Sequence, residues 1–455
     1  TSVISNDGII NVSGNKNIGM YLKETSSNTN DISSNKKTIN ITGSNGYGVM
    51  LIKNEAKFKN SGTIAATGAN SIGLYTESDS SVKDTVINEQ GATISSSNYH
   101  AVVQNGGILT NAGLISTASG GNAALYTNNG GTFTNTNTGE IKSTNGGIAI
   151  FTSGSTGIVE GKITVGDSAN GNTGIGVYSD GSTTKTTFRG SDAKLILGEG
   201  TVGLYSSKAS DFGNVFEITD LNASIGDRAV FAYFGKTGNP TNDTVNIINN
   251  TLQNLTVSKM GTNSAVFYGA NDTTINIADN ITANSTKFSN VDVDDTAQFL
   301  VSDKGNVNIN SGKTLTSGLK TTISGLNKAV VTNNGTLALA GKNGAIGIYS
   351  NDSTVTNNYK ITTANDSSIA IYGKNGSTLK NGAAGQITTS GISSVGMLSD
   401  QSTVENEAGG QITTLGTGSA GVYGTNDSTI TNKGTLTTKA TGSAGIYAND
   451  SDATN

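Results

Sequence analysis

A repeat of about 25 residues runs through this chain and constrains its fold more than any other feature. Each copy has an asparagine turn, short runs that alternate polar and β-branched residues, and a last run that ends in an aromatic residue. The turn asparagine and the aromatic residue lie about 15 residues apart in five copies: Asn6 and Tyr21, Asn60 and Tyr75, Asn111 and Tyr126, Asn357 and Tyr372, Asn432 and Tyr447. Alternation with period two predicts strands, and the Asn-x-Gly segments predict turns.

A repeat this short cannot bury its own apolar face, so it must stack on the next copy. We therefore predict an all-β fold, a single-stranded parallel β-helix with three short strands per coil and about 17 coils. At roughly 4.8 Å between stacked strands, such a rod is about 80 Å long. Inside it, we expect asparagines to stack at the turn and aromatic rings to stack at the end of the third run.

The repeat divides the chain into three segments. Residues 1–205 and 331–455 hold regular coils, whereas the aromatic residues in 206–330, Phe231, Phe267 and Phe299, are spread by about 32–36 residues and predict loop insertions. We expect one continuous solenoid. Because both ends of the chain fall near the same point of the repeat, we also expect a segment of a longer protein.

The third run of each copy has a small second residue and an aliphatic third residue, such as Leu74 and Leu125. Simple alternation places the third residue outside, which predicts an aliphatic stripe on the surface that a partner can dock on. The alternative is a bend at the small residue that turns both apolar side chains into the core.

The composition excludes several classes of function. The net charge is −5, and there are two arginines and no cysteine, so we expect no nucleic-acid partner, no disulfide and no thiolate metal site. No run of about 18 apolar residues occurs, so this segment is not expected to span a membrane.

Side chains for catalysis are scarce. The sole histidine, His100, excludes a zinc site built from histidines and allows a Ser-His-Asp triad only near itself. The acidic residues Asp292, Asp294 and Asp295 fit either a polysaccharide hydrolase or cation site, or, as we favour, a solvated loop. We predict no enzyme activity, no cofactor and no metal.

We predict a ligand-binding site in the insertion after Phe231. It comprises Tyr233, Phe234, Lys236, Asn239, Pro240 and Asn242, which combine aromatic faces, polar groups and a stiff loop. The alternative for this loop is that it folds down over its own coil.

The runs AIGIY, SAGVY and SAGIY end at Tyr349, Tyr423 and Tyr447, and they occur with asparagine turns in a cysteine-free chain. This pattern resembles the passenger region of Gram-negative type V autotransporters, and it is most similar to the large fusobacterial outer-membrane adhesins. The resemblance implies a right-handed, monomeric rod that is exported to the bacterial cell surface.

The same resemblance implies attachment to a host-cell protein receptor, including immune receptors, to a galactose-type glycan, or to neighbouring bacteria. Two other functions stay open. One is a structural stalk that only displays a distal binding tip, and the other is a β-helical polysaccharide lyase or hydrolase.

Overall fold

The computed structural model describes residues 3–23, 32–52, 55–78, 83–181, 183–235, 243–248, 254–283 and 292–455. The chain is an all-β parallel β-solenoid of about 17 turns. The helices of the described residues are a 3-10 turn at Ala209–Asp211 and one α-helical turn at Phe212–Val215. The predicted fold class is therefore confirmed.

The chain forms two compact units. The first comprises Thr1–Ala232 with Asn254–Thr256, and the second comprises Tyr233–Gln253 with Val257–Asn455. All three transitions between the units fall inside residues 206–330, the segment in which the sequence predicts insertions. The predicted three-part division itself stays a prediction.

The strands are numbered in chain order. Strands β1 to β26 are Ser5–Asn6, Ile9–Val12, Ile18–Leu22, Ser33–Asn35, Thr38–Ile41, Tyr47–Ile52, Lys57–Asn60, Thr63–Ala66, Ile72–Glu77, Thr85–Asn88, Thr93–Ser96, Val102–Asn105, Ile108–Asn111, Leu114–Thr117, Ala123–Asn128, Thr132–Asn135, Glu140–Ser143, Ile148–Thr152, Thr156–Val159, Lys162–Val165, Ile175–Ser179, Lys185–Phe188, Lys194–Leu197, Val202–Ser206, Phe216–Ile218 and Leu221–Ile225. Strands β27 to β51 are Val230–Phe234, Thr244–Ile247, Leu255–Met260, Ala265–Ala270, Thr274–Ile277, Ile281–Ala283, Asp292–Val293, Gln298–Asp303, Asn306–Ile309, Thr314–Ser317, Thr321–Leu326, Val330–Asn333, Thr336–Leu339, Ile346–Asn351, Thr354–Asn357, Lys360–Thr363, Ile369–Lys374, Thr378–Asn381, Gln386–Thr389, Val395–Asp400, Thr403–Asn406, Gln411–Thr414, Ala420–Asn432, Thr435–Thr438 and Ala444–Thr454.

Three strands make one coil in each unit. In the first unit, β13, β14 and β15 form a coil, and β16, β17 and β18 form the next. Each strand pairs in parallel with its counterpart, so that Leu109 lies opposite Phe133 and Ile115 lies opposite Ile141. In the second unit, β41, β42 and β43 repeat this arrangement and stack on β44, β45 and β46. Like residues therefore meet at the same point of successive coils.

A ladder of buried asparagines runs along the turn that follows the first strand. The Nδ2 atom of each donates to the Oδ1 atom of the asparagine one coil further on, at 2.6–2.8 Å. In the first unit the ladder comprises Asn6, Asn35, Asn60, Asn88, Asn111 and Asn135. In the second it comprises the buried residues Asn333, Asn357, Asn381, Asn406 and Asn432 and ends at the exposed Asn455. The predicted asparagine ladder is confirmed, with coils of 23 to 29 residues.

Serines form a second ladder in the second unit, at the turn between the third strand and the next coil. The backbone N–H of Ser353 donates to the Ser377 hydroxyl oxygen at 3.3 Å, and Ser377 N–H donates in the same way to Ser402 at 3.2 Å. The Ser377 hydroxyl in turn donates to the Lys374 carbonyl. These bonds explain why each alternating run begins with serine, because a buried turn must satisfy its own backbone groups.

Two consecutive residues of the third strand face the core. In β21, both Gly176 and Val177 are buried, whereas the flanking residues are partly exposed. A Cβ atom on Gly176 would lie 2.5 Å from the Gly203 carbonyl oxygen, so the coil packs too closely there for a side chain. The aliphatic third residues, including Leu74, Leu125 and Ile150, are buried. Of the two alternatives that the sequence left open, the outer aliphatic stripe is wrong, and the bend that turns the third residue into the core is confirmed.

Candidate functional site

In the first unit, the aromatic residues that follow the two inward residues of the third strand lie half-buried on the outer surface. The Tyr126 and Phe151 rings stack with centroids 4.7 Å apart and planes at 3°, and the Phe151 and Tyr178 rings stack at 4.9 Å and 20°. Tyr205 continues the row at 4.9 Å from Tyr178. The rings stack as predicted, but their inward placement was wrong because the small second and aliphatic third residues already fill the interior.

The second unit carries the same outward position, with more varied residues. Tyr349 and Tyr372 meet edge to face at 5.5 Å, and so do Tyr423 and Tyr447 at 4.8 Å. We call this row in either unit the aromatic stripe. The sequence predicted Phe267 and Phe299 as members of this row. This prediction is wrong, because both residues are buried in the core.

The register also locates an interruption in the aromatic stripe. Tyr268 aligns with Val301, Val301 with Ser324, and Ser324 with Tyr349. Two successive coils of the second unit therefore lack a ring at the stripe position.

Four tyrosine hydroxyls of the stripe have a raised pKa. Burial raises the pKa of Tyr178, Tyr205, Tyr349 and Tyr372 above the usual value. Each therefore keeps its proton at neutral pH, and it offers a hydroxyl donor beside an apolar ring edge.

The predicted insertion site is described at two of its six residues. The Tyr233 ring stacks on Tyr268 at 5.5 Å and 12°, and the Tyr268 hydroxyl donates to Asp303 at 3.1 Å. Phe234 is only 1% exposed and stacks on Phe267 at 5.9 Å. Its ring lies in the core, so Tyr233 alone of this pair offers accessible aromatic surface. Lys236, Asn239, Pro240 and Asn242 lie outside the described residues, and the ligand site stays a prediction.

The acidic run after the described strand β33 is engaged in local interactions. Asp294 accepts hydrogen bonds from the backbone and hydroxyl of Thr296. Asp295 pairs with Lys342 at 2.9 Å and Lys320 at 3.0 Å. These lysines, Lys342 foremost, lower the pKa of Asp295 to about 2. A carboxylate this acidic is a weak general base at neutral pH.

Two kinds of feature are absent from the described residues. No cluster of three or more His, Cys, Asp or Glu side chains there is arranged to hold a metal ion. No helix within those ranges has the length and apolar character needed to cross a membrane.

The chain thus presents a parallel β-helix with an outward aromatic stripe. Residues 241–455 match the family described as the BigA third pectate lyase-like domain. No curated protein matches the chain. The match covers somewhat less than half of the chain and lies almost entirely in the second unit. Together with the β-solenoid, it fits a passenger-type β-helix.

Proposed function

We propose that this chain is part of an adhesin-type autotransporter passenger, displayed at a bacterial cell surface, where it attaches the cell to a host receptor or glycan or to neighbouring bacteria. The observation that carries the proposal is the aromatic stripe, because side chains of this kind dominate binding energy at interfaces. The match of residues 241–455 to a BigA domain supports the same class of function.

Polysaccharide cleavage is the alternative function, because the matching family is described as pectate lyase-like. Lyase and hydrolase chemistry both need an acid or base poised near neutral pH. The ion-paired Asp295 does not meet this requirement. Incubation with pectate and other polysaccharides is therefore expected to yield no unsaturated products and no new reducing ends.

We further propose that Tyr233, with Lys236, contributes to the attachment face. The test is binding of the purified, fluorescently labelled chain to host cells and to bacteria. The double variant Tyr233→Ala and Lys236→Ala should lower cell binding at least tenfold with an unchanged circular dichroism spectrum.

The matched control is Tyr359→Ala, which removes another exposed tyrosine of the second unit, away from the aromatic stripe. It should bind as the unaltered chain does. Equal binding by the double variant would refute the role of Tyr233 and Lys236. Absence of binding by the unaltered chain to every cell type would favour the stalk function instead.

A further inference from the structure

A cavity of about 400 Å³ opens in the second unit beside the interruption in the aromatic stripe. Ser324 occupies the stripe position of its coil, with Val301 at that position one coil earlier and Tyr349 one coil later. A serine side chain fills far less volume than a tyrosine ring. Ser324 itself is only 2% exposed, and it lines the cavity together with Tyr349.

Charged side chains mark the same part of the surface. In two later coils of the second unit, the turn before the third strand carries no charged residue, as in Gly391–Ser394 and Gly416–Ser419. Around the cavity, the corresponding turns carry Asp295, Lys320 and Lys342, which form the ion pairs already described. Asp295 and Lys320 both line the cavity. The ion pairs hold these groups in one geometry, so less side-chain entropy is lost when a ligand binds.

An unpaired polar atom also lies at this cavity. The Oε1 atom of Gln298, another lining residue, is buried and has no hydrogen-bond partner. A buried acceptor without a partner has lost its hydration without gaining a hydrogen bond, and rotation of the Gln298 side chain would bring this oxygen to a donor group on a ligand.

The wall of the cavity therefore combines three kinds of group. Tyr349 and Ile346 supply apolar surface. The Asp295 carboxylate and the Gln298 amide oxygen accept hydrogen bonds, whereas the Lys320 ammonium donates them. Asp294 and Asp295 together offset Lys320 and Lys342, so the net local charge is close to zero. A local charge close to zero gives no electrostatic advantage to an anionic or a cationic ligand.

We propose that this cavity binds a short neutral oligosaccharide. Sugar hydroxyls both donate and accept, which matches the mixed groups on the wall, and the C–H face of a sugar ring packs on an aromatic ring. The lining residues come from four successive coils. Three steps of about 4.8 Å give a site roughly 14 Å long, which suits several linked sugar rings. This proposal does not rest on cell attachment, because it concerns binding by the isolated chain.

The test uses the purified full chain on an array of defined neutral and acidic oligosaccharides, followed by calorimetric titration of the best neutral member. Ser324→Tyr restores a ring at the stripe position and fills the cavity. Its affinity should fall at least tenfold with an unchanged or higher melting temperature. Asp295→Asn should also weaken binding at least tenfold.

Two control variants lie elsewhere in the second unit. Glu405→Gln removes the partner of an exposed lysine, Lys433, and Tyr359→Ala removes an exposed tyrosine that lies off the aromatic stripe and does not line the cavity. Both should bind as the unaltered chain does. The proposal is overturned if no neutral oligosaccharide binds, if acidic ones bind better, or if Ser324→Tyr binds undiminished. Oligosaccharide binding that survives in the Tyr233→Ala and Lys236→Ala variant separates this site from the attachment face.

Discussion

At the scale of single residues, His100 has surroundings that favour a neutral imidazole. Its ring is half-buried between Tyr99, at 4.4 Å, and Tyr126, at 5.2 Å. The backbone N–H of Ala123 donates to His100 Nδ1 at 2.9 Å, which requires an unprotonated nitrogen. Burial lowers the pKa of His100 below its ordinary value of 6.5.

This environment predicts how the stability of the first unit depends on pH. Because the native pKa is lower than the unfolded one, the unfolded chain binds the proton more readily. The free energy of unfolding should therefore fall as the pH is lowered from 7.5 to 5.5. Urea unfolding of the chain and of His100→Asn checks this, since the variant should lose most of the dependence. A histidine pKa above 6.5 in an NMR titration would contradict the prediction.

Single residues also show where alternation misleads. A regular strand would place the third and fourth residues of the third run on opposite faces, and the sequence pattern does not state which faces the core. In the structure, Gly176 and the Val177 side chain are buried in the core, and the Tyr178 ring lies on the outer surface. The small second residue indicates the inward bend, because it marks the closest approach between coils. Strict alternation ignores this residue, whereas the alternative of a bend depends on it.

At the scale of elements, the asparagine ladder makes each turn depend on its neighbours. Asn381 is fully buried, accepts from Asn357 and donates to Asn406, both at 2.8 Å. Asn381→Ala leaves a donor on one side and an acceptor on the other without partners. At about 1–3 kcal/mol for each, the loss of unfolding free energy should be about 2–6 kcal/mol.

The matched control is Asn358→Ala, one coil earlier and next to a ladder position. Asn358 donates to Asn334 at 2.9 Å on the exposed surface, where water replaces the lost bond. Its cost should stay within about 0.5 kcal/mol. Chemical denaturation followed by circular dichroism measures both. Equal costs for the two variants would show that the buried ladder adds no more stability than a surface pair.

Elements also show what the sequence could and could not predict. The spacing of the asparagines predicted both the coils and the ladder. An asparagine that recurs at the same position of each repeat gives the length of the coil and places its side chain next to that of the following coil. The cavity was not predicted, because Asp295 and Lys342 are 47 residues apart and meet only through stacking. The sequence assigned Asp295 to a solvated loop, and no local pattern indicated its lysine partners. The interruption at Ser324 became visible only once strand register aligned it with Tyr349.

At the scale of the whole molecule, each unit is stabilised by contacts between successive coils. Ile361 illustrates this, because it is fully buried and lies between Leu337 of the preceding coil and Ile387 of the following one. Structures built in this way respond to damage locally, since their stability is close to a sum of neighbouring terms.

We therefore predict that Ile361→Ala opens a limited part of the second unit. Replacing a buried isoleucine with alanine lowers the free energy of unfolding by about 2–5 kcal/mol. The coils that contact the resulting cavity are the ones destabilised. In hydrogen exchange, amides in strands β39 to β45 should lose most protection, with smaller losses one coil further away. Residues 3–232 should exchange unchanged. Ile392→Ala, at a site 56% exposed, should leave the whole map unaltered. An equal loss of protection across both units would mean that the coils unfold together, which is the opposite of what stacking between neighbours predicts.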